Sequence, residues 1–467
     1  MRIFKNLLVA LVILWGLLAL MVRSATPFIA DYREELAALL SGQLGVPVSV
    51  GRIGARWYGI APLLELRGLH IGKPGEALEI DRLSIDVALG ELLAGSPLDA
   101  LRLTIDGMQV TLVRAETGQL RLEGVGPIDQ NPQQTRKVLP LPSGLRLLNT
   151  RVVWIDRKAG KPPFEIDKVD IVLDREGTLL DLRARLQTAS GNADLSAQLD
   201  GFLTTHEWDG ETYLKVDNLD VADLFARYLP KEYGLYGLQL DLESWGRWRD
   251  AAPAEAQGSF QLRDLRLRPT DRDAVPLNLV RAGAEFSVQR QQGGLQLGLK
   301  DLLLAFRGHL WPSGDLAVAI SERPEGGRQI RVAADYLRID DLARTLRVRM
   351  PWPELQDPIE RLRPRGELHD FRLSLDLAPD QTEWRVRSSF SEVATSPWGD
   401  IPGVENLSGD LHGQRDHLVL QFDSEDATVS FSELFRDPLK LLRLDGRVDL
   451  VRDSDRWQVI TERLVAD

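Results

Sequence analysis

Period-two alternation of apolar and polar residues runs through most of this chain, and it limits the fold more than any other feature. Leu78 to Leu89 reads LEIDRLSIDVAL, with Leu78 and Ile80, then Leu83, Ile85, Val87 and Leu89, on alternate positions. The phase shifts once at Asp81–Arg82, as a β-bulge would make it. The same pattern recurs in RVVWID from Arg151, FEIDKVDIVLD from Phe164, ADLSAQLDGFL from Ala193, EWRVRSSF from Glu383 and DHLVLQFD from Asp416. Roughly two dozen such segments are joined by Gly, Asp, Asn and Pro turns. Strands apolar on one side and polar on the other form antiparallel sheets with one wet face. Twist accumulates across so many strands, so an open sheet must curl. The expected fold is therefore mainly β, with an N-terminal transmembrane helix and a few short helices. Its body is a curled antiparallel sheet whose apolar face lines the inside. Alternation alone leaves open whether the inside is an open groove or a filled core.

The chain opens differently. Leu7 to Val22, LLVALVILWGLLALMV, is sixteen residues without a charge. As a helix it would be about 24 Å long, short for a bilayer core of about 30 Å but sufficient once Lys5 and Arg23 snorkel. Leu7, Val12, Trp15, Leu18 and Val22 are the expected membrane-anchor residues. An uncleaved anchor is preferred to a signal peptide, whose apolar region is usually shorter. Arg2 and Lys5 before the span favour a cytoplasmic N-terminus. Three regions are expected: an anchor over residues 1–30, a helix and first strands over 31–130, and a repeating β-region over 131–467. DYREELAALL from Asp31 reads as an amphipathic helix ended by Gly42 and Gly45.

An internal repeat supports a modular β-architecture. DNLDVADL from Asp217 and DYLRIDDL from Asp335 agree at five of eight positions, counting Val/Ile, at an offset of 118 residues. Each copy ends a strand and enters a helical stretch, FARYLP from Phe225 and ARTLRVRMP from Ala343. Asp223 and Asp341 would then meet the positive end of a helix dipole.

Catalytic chemistry has little foothold. The 467 residues contain no cysteine, so disulfides, thiol nucleophiles and Cys-ligated metals are excluded. The 69 acidic and 57 basic residues give a net charge of −12, which argues against a general nucleic-acid binder. No phosphate-binding loop, nucleophile elbow or His-Glu-x-x-His metal motif occurs. His412 and His417 lie near Asp410 and Asp416, where surface turn residues are the preferred reading. The pairs Glu34–Glu35 and Asp340–Asp341 read as solvated helix faces. No enzyme activity and no cofactor are expected.

Two stretches resemble AsmA-like proteins, and more closely their YhdP branch. Glu35 to Gly72 carries Gly45, Val46, Pro47 and Val48 at the first strand, then Trp57, then Pro62 and Leu64 entering the next. Ile401 to Leu411, IPGVENLSGDL, is similar to the family's Pro-Gly turn followed by a Gly-polar-Leu strand start. WPSGDLAVAI from Trp311 and PRGELHDFRLSL from Pro364 also resemble that branch. The resemblance implies a Gram-negative inner-membrane protein, single-pass, with its bulk in the periplasm. It implies a repeating β-groove, a taco-like sheet with an apolar lining that conducts phospholipid between inner and outer membranes, with periplasmic or outer-membrane protein partners. Ile80, Leu83, Ile85, Val87 and Leu89 would then be lipid-facing. Family members are longer, so the chain is expected to be truncated at its C-terminal end. The alternative is an envelope scaffold, a packed β-rod without lipid transport. A polysaccharide-binding or hydrolysing β-protein has less support.

Overall fold

A computed structural model describes residues 33–466 except 45, 59–60, 73–77, 89–90, 92–98, 124–125, 128–141, 159, 161–162, 203–206, 223–224, 226–232, 270–276, 292, 324–325, 349–355, 379–381, 400, 432–436 and 454–455. The expected anchor, with Leu7, Val12, Trp15, Leu18 and Val22, lies outside the described residues, as does Leu89. No described helix is long and apolar enough to cross a membrane.

The chain is mainly β. Helix α1 (Arg33–Leu44) precedes β1 (Val48–Tyr58), β2 (Ala61–Ile71), β3 (Leu78–Val87), β4 (Leu101–Arg114), β5 (Leu120–Leu122), β6 (Gly126–Pro127), β7 (Gly144–Asp156), β8 (Phe164–Glu176), β9 (Leu179–Gln187) and β10 (Asn192–Phe202). Then come β11 (Glu207–Asp220), β12 (Tyr233–Leu235), β13 (Gln239–Arg249), β14 (Ala252–Pro269), β15 (Leu277–Gln291), β16 (Gly294–Phe306), β17 (His309–Leu310), β18 (Gly314–Glu322) and β19 (Arg328–Arg338). Helices α2 (Ile339–Val348) and α3 (Gln356–Leu362) interrupt the strands, which resume as β20 (Arg365–Leu377), β21 (Thr382–Thr395), β22 (Gly403–Gln414), β23 (His417–Ser430), β24 (Leu439–Asp453) and β25 (Arg456–Ala466). Helix α1 runs through Gly42, where the sequence suggested a stop.

The chain divides into two units, Met1–Val216 with Trp248–Ala251, and Asp217–Arg247 with Ala252–Asp467. In the first unit β1 to β4 pair antiparallel in sequence order, as do β7 to β10. Here the expected all-antiparallel sheet is corrected, because β4 and β7 run parallel, from Arg102 opposite Gly144 to Arg114 opposite Asp156. Parallel neighbours cannot be joined by a hairpin, and the 29 residues from Ala115 to Ser143 supply the crossover. In the second unit β14, β15, β16, β18 and β19 to β25 pair antiparallel in chain order.

Ten of these strands share one device, a single residue in the left-handed region within the strand. Asn149, Asn218, Asp264, Asp301, Asp370, Glu392, Asn406 and Asp426 have φ of 49 to 58°, and Gly68 and Gly107 have 60° and 71°. Such a residue bends the strand and reverses its alternation, so the apolar residues before and after it project to the same side. Asn, Asp and Gly tolerate this conformation at little cost. Around Asp81 the outcome differs from the expected bulge. The register with β2 and β4 is unbroken, and the left-handed glycines Gly68 and Gly107 sit across from Asp81 instead.

The three buried clusters are built around residues that flank these bends. One gathers Leu66, Leu69, Ile80, Leu83, Ile105 and Met108 with Val48, Val50 and Ile53, under Leu36 and Leu40 of α1. A second holds Phe390 with Val393, Val404 with Leu407, and Ala427, Leu441 and Leu444. The third joins Leu262 and Leu265 to Leu219, Val221 and Leu238. The core is thus a crease along each sheet.

Backbone N–H groups released at the bends are taken up by side chains of neighbouring strands. Asn149 donates to Asp170 Oδ1 at 2.7 Å, Asp301 to Asp315 Oδ1 at 3.1 Å, and Glu392 to Ser408 Oγ at 3.3 Å. Buried backbone donors rarely go unpaired, so these side chains fix where the strands bend.

Candidate functional site

Inside each bend the sheet presents the side to which the apolar flanks project, here called the inner face. In the second unit the pairing registers carry one row straight across it. Ala256 faces Val288, which faces Leu297, then Val318, Val332, Leu373, Val386, Gly413, Leu418, Leu450 and Val459. Directly opposed residues share a face, so eleven strands contribute ten aliphatic side chains and one glycine to a single stripe. At about 4.8 Å per strand the stripe is roughly 48 Å long. A second row runs beside it through Leu295, Ile320, Ile330, Leu375 and Trp384. A third, nearer the crease, runs through Phe286, Leu299, Leu316, Ala334 and Phe371.

Burial distinguishes the walls from the crease. Val288, Leu297, Val318, Val332, Leu373, Val386, Leu418 and Leu450 are only half-buried. Val459 is 67 % exposed and Leu295 42 %. At the crease, Ala334 and Ala427 fall to 1 %. A filled core would bury the walls as well. What the arrangement offers is an aliphatic surface with a packed floor and open walls. Each methylene it takes from water is worth about 0.8 kcal/mol.

The residues picked out by sequence lie in the first unit. Ile80 is buried in the cluster beneath α1, and Leu83 packs against that cluster. Ile85 and Val87 are half-buried on the same strand, opposite Leu103 and Leu101 of β4. The stripe in the second unit was missed, because cross-strand register is not legible in a single strand.

Polar clusters elsewhere are structural ties. Asp341 lies in the first turn of α2, but its carboxylate is buried rather than solvated. It accepts from Trp311 Nε1 at 2.8 Å and lies 2.6 Å from His309 Nε2. Tyr336 donates to Glu367 at 2.7 Å, and its phenol pKa is raised, first by burial and then by this bond. Glu34 and Glu35 are exposed, as expected, while Asp223 lies outside the described residues. His417 opens β23, and its Nε2 lies 2.8 Å from Asp449 Oδ1 on β24. No group of His, Asp and Glu suited to a metal occurs among the described residues.

A family model described as "YhdP protein" matches residues 1–467. The "Intermembrane phospholipid transporter YhdP" of Escherichia coli (strain K12) is 22% identical over 485 residues, which cover 96% of this chain and 36% of that protein. The chain thus spans little more than a third of the length of the curated relative it matches. No solved structure matches it.

Proposed function

The chain belongs to the YhdP family, and from that premise we propose that its inner face is a groove carrying phospholipid acyl chains between inner and outer membranes. The eleven-strand aliphatic stripe with half-buried walls is the observation that carries this reading. Acyl chains lie along the stripe while headgroups stay in water at the open edge. The stripe offers no polar break at which a chain would stall, because every member is aliphatic or Gly413. The relative's name, an intermembrane phospholipid transporter, supports the same cargo. In this reading residues 7–22 anchor the chain in the inner membrane and the strands extend into the periplasm. Ile85 and Val87 belong to the acyl-contacting surface. A packed scaffold rod fits less well, since its inner face would be filled.

Site-specific crosslinking tests this. p-Benzoylphenylalanine is introduced at Val332 or at Gln458 of β25, which points to the opposite face, and the full chain is irradiated in cells. A phospholipid adduct at Val332 and none at Gln458 is the expected result. Equal adducts at both positions, or none at Val332, Leu297 and Leu373 in normally accumulated protein, would overturn the groove.

A further inference from the structure

The outer face of the same strands carries something the acyl stripe does not explain. Alternating with the stripe are two rows of outward-facing positions on β15, β16 and β18 to β21. They bracket a cavity of about 680 Å³. Five stripe residues, Leu297, Val318, Val332, Leu373 and Val386, border it, but each is accompanied by both of its outward-facing chain neighbours, and on β15 only the outward Ser287 and Gln289 take part, which places it on the outer face. A twisted sheet is saddle-shaped, so each face has a concave diagonal. None of the seventeen lining residues is acidic, in a chain where acids outnumber bases 69 to 57. Four are arginines: Arg331, Arg372, Arg385 and Arg387. Small residues, among them Ala317 and Ala333, keep the floor low between them.

The four arginines of the trough stand together with no acid among the lining residues. Some outward arginines elsewhere are paired, Arg185 with Asp194, Arg247 with Glu255 and Arg263 with Asp241. Arg331, Arg372, Arg385 and Arg387 are exposed, and none makes an ion pair with a described residue. Arg372 stands directly opposite Arg387, a like-charge pairing that destabilises a sheet. Several acids on these strands are committed: Asp376 binds Arg323 and Gln329, while Asp315 and Asp335 accept backbone N–H groups. A cationic trough with its counter-charges engaged elsewhere suits a ligand that brings its own. Guanidinium forks match phosphate oxygens in pairs.

We propose that this outer trough binds a phosphate-bearing ligand with at least two negative charges, with Arg372 and Arg387 at its centre and Arg331 and Arg385 beside them. The site lies on the face opposite the acyl stripe, sharing its strands, and stands whether or not that stripe carries lipid. The same chemistry is offered by a free phosphate compound and by a phospholipid headgroup, and the test separates them. The full chain in neutral detergent is titrated by calorimetry at fixed low ionic strength with pyrophosphate, and separately with dihexanoylphosphatidic acid. Saturable pyrophosphate binding identifies a free-phosphate site. Binding of the short-chain lipid alone identifies a headgroup site. In either case Arg372→Gln/Arg387→Gln weakens binding about tenfold or more, and added salt weakens it further. The double variant should melt no lower than the parent, because a like-charge pair has been removed. Binding unchanged in a folded double variant, or no binding of either probe, would overturn the proposal. Should the double variant misfold, Arg331→Gln/Arg385→Gln carries the same expectation.

Discussion

Asn218 donates its backbone N–H to Asp241 Oδ1 at 2.7 Å, and Arg263 clasps both, reaching Asp241 Oδ2 at 2.5 Å and Asn218 Oδ1 at 3.0 Å. The bend in β11 is therefore held by the strands beyond it. Asp241→Ala removes the acceptor for both donors and should destabilise the second unit by about 1–3 kcal/mol. Asn218→Gly keeps the left-handed backbone and should be far milder. Thermal melts of the two variants, followed by circular dichroism, check the difference.

Glu392 is the misfit among the bend residues. Its φ of 52° suits Gly, Asn or Asp, and a glutamate there is held at a cost of about 1–2 kcal/mol. Glu392→Asn should raise the melting temperature, because the bond from its backbone N–H to Ser408 Oγ is kept. A lower melting temperature would show that the glutamate side chain has a role the bend does not explain.

Gly409 is expected to be intolerant. Its φ is 155°, and a Cβ there would meet the Gln421 carbonyl oxygen at 2.0 Å and the Phe390 ring at 3.1 Å. A backbone carbonyl inside a ladder cannot step aside as a surface side chain can. Gly409→Ala should lower the melting temperature more than Glu392→Asn raises it. Loss of soluble full-length protein would be the extreme of the same effect.

Acid should act through Asp449. Hydrogen bonds from Arg447 and from His417 hold its carboxyl at about 2, below the ordinary value of about 3.9. A depressed carboxylate contributes stability in full above its unfolded pKa. The contribution is lost as pH falls from about 4 towards 2. The melting difference between parent and Asp449→Asn should thus be constant at neutral pH and close over that acid window. A difference that persists at pH 2 would trace the effect to something other than this ionisation.

The inner stripe makes its own demand. Leu373→Asp puts a charge between Val332 and Val386 on a half-buried wall, where water still reaches it. Folding should survive, whereas co-purified phospholipid, counted by native mass spectrometry of the full chain, should fall several-fold. Gln458→Asp, on the outward face of β25 beside the stripe residue Val459, should leave the lipid content unchanged.

Sequence alternation was enough to read the strands, their amphipathic faces and the curling they force. The repeat at Asp217 and Asp335 was legible too, and in the second copy the strand does run into a helix, α2. The crease was present as text but not recognised. Leu262-Arg263-Asp264-Leu265, Leu368-His369-Asp370-Phe371 and Val404-Glu405-Asn406-Leu407 share one form, an apolar residue, a polar one, Asp or Asn, then an apolar one. Read strand by strand, each looks like an isolated phase error, as Asp81–Arg82 did. Only pairing between strands shows the errors clustering at the creases. The arginine trough was hidden for the same reason, since Arg331, Arg372 and Arg385 come together only through register. The parallel contact of β4 with β7 depends on a crossover that alternation does not encode.

Each antiparallel hairpin from β15 to β25 brings its own share of the aliphatic row, and several bring a bend whose N–H is taken by the next strand. Length is therefore a free variable of this architecture. Removing two consecutive strands, such as β21 and β22, would leave β20 facing β23 in the correct sense, with Leu373 still able to meet Leu418 across the join. Adding a hairpin would extend the stripe by about 9.6 Å without asking anything new of its neighbours. Evolution could tune the reach of such a molecule by copying hairpins, much as a ladder is lengthened by rungs.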